Sequence, residues 1–101
     1  MTDFSKLIRE EARLVILRAL ADQVDETLSS SMLETTLRTY GIRKERSWVH
    51  DELAWLAEAG AVSITPTPGT VLVAVLTTKG RRHIDREIAI EGVKRPSRPE
   101  V

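Results

Sequence analysis

Residues 41–74 read GIRKERSWVHDELAWLAEAGAVSITPTPGTVLVA, and the fold turns on this stretch. Val49, Leu53, Leu56 and Ala57 recur at helical spacing, which predicts a helix over residues 44–59 stopped by Gly60. Trp48 and Trp55, seven residues apart, share an adjacent face with Glu52 between them. Beyond Gly60 the period changes to two. Val62 and Ile64 alternate with Ser63 and Thr65, predicting a strand over residues 61–65. Residues 66–70, PTPGT, supply a turn with Pro68-Gly69 at its tip, and the apolar residues 71–76 return as a second strand. The stretch is a helix that runs into a hairpin.

Upstream, Asp3 is placed to cap a first helix over residues 3–21, with Lys6, Glu10, Glu11 and Arg13 on its polar side. Phe4, Leu7, Ile8, Leu14, Val15, Ile16, Leu17 and Leu20 are too many for one narrow stripe. Either several neighbours bury this helix, or it serves both the core and a dimer contact. In the second case Leu14, Val15 and Trp48 are the interface candidates. Residues 22–30, DQVDETLSS, are polar and read as a connection. Ser30 or Ser31 then opens a second helix to Tyr40, with Glu34 as capping-box partner of Ser31 and Met32, Leu33, Leu37 and Tyr40 at helical spacing. Gly41 ends it, and residues 41–45 form the link, with Ile42 as its apolar plug.

After the hairpin, Thr77 or Thr78 caps a last helix to Ile90, which turns Ile84, Ile88 and Ala89 inward and accepts Gly80 at some cost. The segment from Gly92, GVKRPSRPEV, has two prolines and no evident core residue, and is expected to be disordered or extended. The chain thus divides into a domain over residues 1–91 and a flexible basic tail over 92–101. The expected fold is α+β and mostly helical: a winged helix-turn-helix with a two-stranded β-hairpin wing and a C-terminal helix.

At 101 residues the chain is one domain. Lys+Arg and Asp+Glu balance at fifteen each, so affinity for nucleic acid must come from local clustering. Cysteine is absent, which excludes disulfides, thiolate metal sites and a cysteine nucleophile. The N-terminus, MTDFSKLIREE, is charged and lacks the apolar core of a secretory signal, and no apolar run approaches a membrane span. A cytoplasmic location away from membranes is expected. His50 and His83 stand on different helices, no metal-ligand spacing occurs, and there is neither a Gly-rich phosphate loop nor a nucleophile elbow. No catalytic residue, cofactor or metal is therefore assigned.

The polar constellation that remains is local. Arg43, Lys44 and Arg46 cluster at the start of the third helix, where a recognition helix meets base edges and phosphates. Ser47 and His50 project from the same turn towards base edges, and Arg46 suits guanine. Asp51 and Glu52 are expected nearer the back, where they subtract from the field. Thr67 and Thr70 can donate to phosphates, but residues 65–70 hold no Lys or Arg, so the wing is neutral. Lys79, Arg81 and Arg82 form a second cluster, and Lys94, Arg95 and Arg98 offer tail contacts to phosphate. Trp48 either packs beside Trp55 or stands exposed as an anchor for a protein partner.

The chain resembles the small winged-helix proteins of Mu-like prophages that are described as ArsR-like regulators. The resemblance rests on Arg13-Leu14-Val15-Ile16-Leu17-Arg18, on Asp51-Glu52-Leu53-Ala54-Trp55-Leu56 with Gly60, on Leu76-Thr77 and Gly80, and on Gly92-Val93-Lys94-Arg95-Pro96. It covers nearly all of the chain and implies a winged helix of phage or prophage origin. The metal-sensing ArsR repressors use cysteines that this chain lacks. Two functions follow as expectations. One is a transcriptional regulator, dimeric through its first and last helices, that binds double-stranded DNA. The other is a non-catalytic interaction module in phage development or assembly, with a phage protein as partner.

Overall fold

The computed structural model describes residues 3–98; the parts of the N-terminal and tail readings that fall on residues 1–2 and 99–101 lie outside them. The elements in order are α1 (Phe4–Ala21), β1 (Thr27–Ser29), α2 (Ser30–Thr39), α3 (Arg46–Glu58), β2 (Val62–Pro66), β3 (Leu72–Leu76) and α4 (Thr78–Ile84). The architecture is α+β, with four helices around a three-stranded antiparallel sheet ordered β1-β3-β2.

α1 is the centre of the core. Asp3 caps it by accepting from the Lys6 amide. The helix packs against α2, α3, α4, β1 and β3, so the consecutive run Ala12 to Leu17 is buried together with Leu20. That encirclement explains an apolar belt too wide for one stripe, and it corrects the interface assignment of Leu14 and Val15. Both lie inside the domain, 3% and 4% exposed, and are unavailable to a second chain. The opposite holds for the start of the helix, where Phe4, Leu7 and Ile8 are exposed.

The polar connection between α1 and α2 contains a strand that sequence periodicity does not reveal. Thr27, Leu28 and Ser29 pair with Val75, Ala74 and Val73, which turns the expected two-stranded hairpin into a three-stranded sheet. Three residues are too few to display alternation, and their strand character comes from the partner β3. The last of them, Ser29, caps α2 by accepting from the Met32 amide, so the expected Ser31–Glu34 capping box is not used. At the far end, Gly41 has φ +80°, and the amides of Gly41 and Ile42 donate to the carbonyls of Arg38 and Leu37. This Schellman closure tucks Ile42 into the core as the plug, 8% exposed.

α3 presents Val49, Leu53 and Leu56 inward as its spacing requires, but Glu52 is buried with them. Glu52 accepts at 2.7 Å from Nε of Arg13, itself buried on α1. The Arg13 guanidinium stacks 3.8 Å from the ring centroid of Trp55, and its Nη1 donates at 2.8 Å to the Gly92 carbonyl. One side chain therefore ties α1, α3 and the C-terminal segment together.

α4 is shorter than its periodicity suggests. It ends at Ile84, six residues before the expected Ile90. Arg86 takes φ +62°, and the chain turns back so that the Ile90 amide donates to Nδ1 of the buried His83. Ile90 and Val93 are 7% and 5% exposed, whereas Ala89, expected inward, is exposed. The segment after Gly92 thus does contribute to the core, contrary to the sequence reading. Nε2 of His83 contacts the Lys94 carbonyl at 3.0 Å, and the Lys94 amide donates to the Glu10 carbonyl. At the other end of α4, a Cβ on Gly80 would lie 2.3 Å from the Ala61 carbonyl oxygen, so this glycine permits close packing rather than being merely tolerated.

Glu52→Ala leaves the Arg13 charge buried without its partner and is expected to cost about 3–5 kcal/mol in urea unfolding. The double variant Arg13→Met/Glu52→Leu should recover part of that loss, because no unpaired charge remains inside. Equal destabilisation by the two variants would show that packing, rather than charge pairing, accounts for the effect.

Candidate nucleic-acid interface

The start of α3 and the β2–β3 hairpin form one surface. The register Val62↔Leu76 through Pro66↔Leu72 leaves residues 67–71 as the tip, closed by the Thr67 hydroxyl donating to the Val71 carbonyl. Between tip and helix lies an open cleft of about 500 Å³ whose lining includes Arg46, Ser47, His50, Thr67, Thr70 and Leu72. Arg46, the first residue of α3, spans the cleft mouth through a 2.9 Å bond from Nη1 to the Thr70 hydroxyl. Arg43 and Lys44 stand exposed on the preceding link, and Ser47 is exposed on the first turn. Glu45 occupies the N-cap position without a side-chain capping bond, so no side chain covers the helix amides from that position.

The other expected contact residues are distributed differently. His50 is half-buried, and its Nε2 lies 3.3 Å from the Ser30 hydroxyl, which accepts at 3.0 Å from the Leu72 amide. Its ring therefore buttresses the joint between α2, α3 and β3, although one edge reaches the cleft. The Thr67 hydroxyl is engaged within the tip. Lys94 pairs with Glu11 at 2.9 Å and lines a different cleft beside α1, while Arg95 and Arg98 are exposed on the tail. Trp48 is half-buried against the core, with the Lys44 ammonium 5.5 Å from its ring centroid. Its neighbour on the helix face, Trp55, is held by Arg13 instead.

The second basic cluster has structural partners. Lys79 donates to the Ala59 carbonyl at the end of α3, Arg81 pairs with Glu26 and donates to the Ala21 carbonyl, and Arg82 pairs with Glu87. Glu52, expected to weaken the field of the α3 face, has its carboxylate in the core beside Arg13 and, at 3.8 Å, Arg9. Sequence reasoning missed that burial because a carboxylate on a helix ordinarily faces water. The available signal was its position: Glu52 lies one turn after Val49 and one turn before Leu56, within the apolar stripe.

Among the described residues, no group of three His, Asp or Glu side chains could hold a metal ion, and no helix is long and apolar enough to cross a membrane. No family model matches the chain. It is 36% identical over 90 residues to the uncharacterized protein gp26 of Escherichia phage Mu, an alignment that covers 89% of this chain and 92% of that protein. It is also 32% identical over 79 residues to an uncharacterized protein of Haemophilus influenzae, covering 78% of this chain and 76% of that one. The chain belongs to the family of the phage Mu protein gp26.

Ser30→Ala removes both the acceptor for the Leu72 amide and the contact to His50. In hydrogen exchange the Leu72 amide is expected to lose about fivefold or more in protection, as loss of a hydrogen bond worth about 1 kcal/mol or more implies. The amides of α1 should be less affected. Unchanged exchange at Leu72 would show that Ser30 does not hold the hairpin.

Proposed function

We propose that this protein is a winged-helix DNA-binding protein, a transcriptional regulator of a Mu-like phage or prophage. On this reading α3 is the recognition helix and lies in the major groove, while the hairpin is the wing and rests on the neighbouring backbone. The observation that carries the reading is the joint surface at the start of α3. Arg43, Lys44 and Arg46 are exposed there at a helix terminus with no side-chain cap, beside a cleft walled by the hairpin.

The physical roles differ between these residues. Arg43 and Lys44 lie on the link and would neutralise phosphates, as the amides of the first helical turn also can. Arg46 would exchange its Thr70 bond for a guanine edge or a phosphate, and Ser47 would read a neighbouring base. The Glu52 charge is compensated within the core, which leaves Glu45 and Asp51 as the exposed carboxylates nearest this surface along the chain. The ArsR-like character extends only to the fold, because a chain without cysteine has no thiol switch. A second reading, an interaction module in phage development or assembly, draws support from a different surface. Phe4, Leu7 and Tyr40 are exposed on it, and the hairpin tip lacks the basic residues that grip a phosphate backbone.

Fluorescence anisotropy with a random duplex tests the first reading. Dissociation constants of about 10⁻⁴ to 10⁻⁶ M are expected near physiological salt, with a log–log salt slope of about −3 if three phosphates are neutralised. The Arg43→Glu/Arg46→Glu variant should lose this binding while keeping its far-UV circular dichroism. Absence of binding even at low salt would remove the DNA reading and leave the interaction module.

A further inference from the structure

We propose that the chain beyond α4 is a strap latched by the neutral imidazole of His83, and that proton uptake by this ring opens it. Ile90, Val93 and Pro96 are buried at every third position, while the residues between them are exposed or half-buried. Residues 90–96 therefore lie across the domain as a band with one inward edge, outside any helix or strand. Gly92 sits against the Trp55 ring, where a Cβ would come within 2.6 Å of Cζ2. The Arg13 and Arg86 side chains donate to the Gly92 and Pro96 carbonyls, and the Lys94 amide donates to the Glu10 carbonyl. None of these bonds changes with a proton near neutral pH.

His83 is different, because it holds the strap at two places through bonds that depend on its charge. The residue is 0% exposed. The Ile90 amide meets Nδ1 at 3.0 Å, and a backbone amide can only donate, so Nδ1 carries a lone pair and the ring proton is on Nε2. Nε2 then donates to the Lys94 carbonyl, also at 3.0 Å. One tautomer of the neutral ring satisfies both contacts. A proton on Nδ1 sets two N–H groups against each other and ends the Ile90 bond. The Nε2 bond is available in either state, which places the break at Ile90. Both nitrogens face the strap, so water reaches a buried imidazolium only when the strap lifts.

The charged groups around the latch are committed elsewhere or face water. On α4 and the turn after it, Arg81 pairs with Glu26 and Arg82 with Glu87, Arg86 holds Pro96, and Asp85 is exposed. The strap brings Glu91 and Arg95, both exposed, and Lys94, which pairs with Glu11 of α1. Glu10 on α1 is half-buried, and Glu52 on α3 is taken by Arg13. Among the described residues no carboxylate forms an ion pair with the ring. A charge on His83 thus has no counter-ion in place. The closed strap binds one proton fewer than the open one, so acid favours opening and the latch holds at higher pH. Opening uncovers Trp55 and the seats of Ile90, Val93 and Pro96, while α1 and α3 keep their own contacts. The device does not depend on the DNA reading.

Nitrogen-15 NMR of the full chain from about pH 8 to about pH 5 tests the proposal, over the range in which an imidazole changes charge. At the upper end the His83 ring should show the Nε2–H tautomer. On acidification the Ile90, Val93 and Lys94 amides should shift in step with protonation of that ring, whereas Ile16 and Leu17 in α1 stay in place. In hydrogen exchange the open population should rise by up to about tenfold per pH unit, as one bound proton requires. His83→Gln should remove this dependence on pH, and the wild-type titration decides the matter even if that variant does not fold. An Nδ1–H tautomer at the upper end would overturn the proposal. So would a ring that takes its proton while the Ile90 amide stays put, or one that remains neutral throughout with the strap closed. Loss of the α1 amides together with those of the strap would show global acid unfolding and overturn it equally.

Discussion

The Arg13–Glu52 pair is the constraint on which the arrangement of this molecule depends. Side chains 11% and 5% exposed carry opposite charges 2.7 Å apart, in a domain with little core to spare. Removing two charges from water is costly, and their attraction offsets that cost only when the remaining polar groups also find partners. Further partners are present here. The guanidinium also donates to the Gly92 carbonyl and lies over the face of Trp55, and Arg9 approaches the second oxygen of Glu52. An apolar pair would tolerate sliding, whereas a charge pair with directional bonds favours one register of α1 against α3.

That register matters for the polar surface at the other end of α3. Because Glu52 is drawn inward, the helix is rotated so that Ser47 faces outward and His50 turns its ring to Ser30. The Ser30 hydroxyl then holds the Leu72 amide, which places β3 and with it the hairpin. Position thus passes from a buried ion pair to a helix face, then through one hydroxyl to a strand. The cleft between α3 and the hairpin is the outcome of that sequence of contacts. Arg46, Ser47 and His50 sit on a helix, which favours precise placement, while Thr67 and Thr70 sit on the hairpin tip.

The legible parts of the fold were those with a clear period. α3 showed a 3.6-residue repeat and the first hairpin strand a two-residue one, the second strand was readable as an apolar run after a Pro-Gly turn, and Gly41 and Gly60 marked boundaries. β1 was illegible because a three-residue strand has no periodicity of its own. α4 was overread because Ile84 and Ile88 mimic helical spacing across a point where the backbone leaves the helix. The helix closes at Arg86, where φ turns positive and the Glu87 amide reaches back to the Arg82 carbonyl, and the His83 ring then takes the Ile90 amide, contacts invisible to a period. The basic link before α3 was visible as charge, but which residues were committed elsewhere was not. His50, Thr67 and Lys94 each acquire structural partners through contacts that sequence spacing does not disclose. Burial of Glu52 required knowing that Arg13, 39 positions away, would meet it.

The bond from Arg13 to the Gly92 carbonyl also bears on when the fold can be completed. It joins positions 79 residues apart, and the Lys94 amide reaches back to Glu10 beside it. Until that segment has been synthesised, Arg13 has Glu52 and Trp55 but not its carbonyl partner, and the site of Val93 is unfilled. Contacts of such separation carry the entropy of closing a long loop before they return any stabilisation, so they slow the approach to the native state. The same segment is held by hydrogen bonds at Gly92, Lys94 and Pro96 and by the buried Val93, and, lying in no helix or strand, it is the natural first part to detach during partial opening. The order of assembly and the order of coming apart are therefore set at the same seam, where the end of the described chain closes over its beginning.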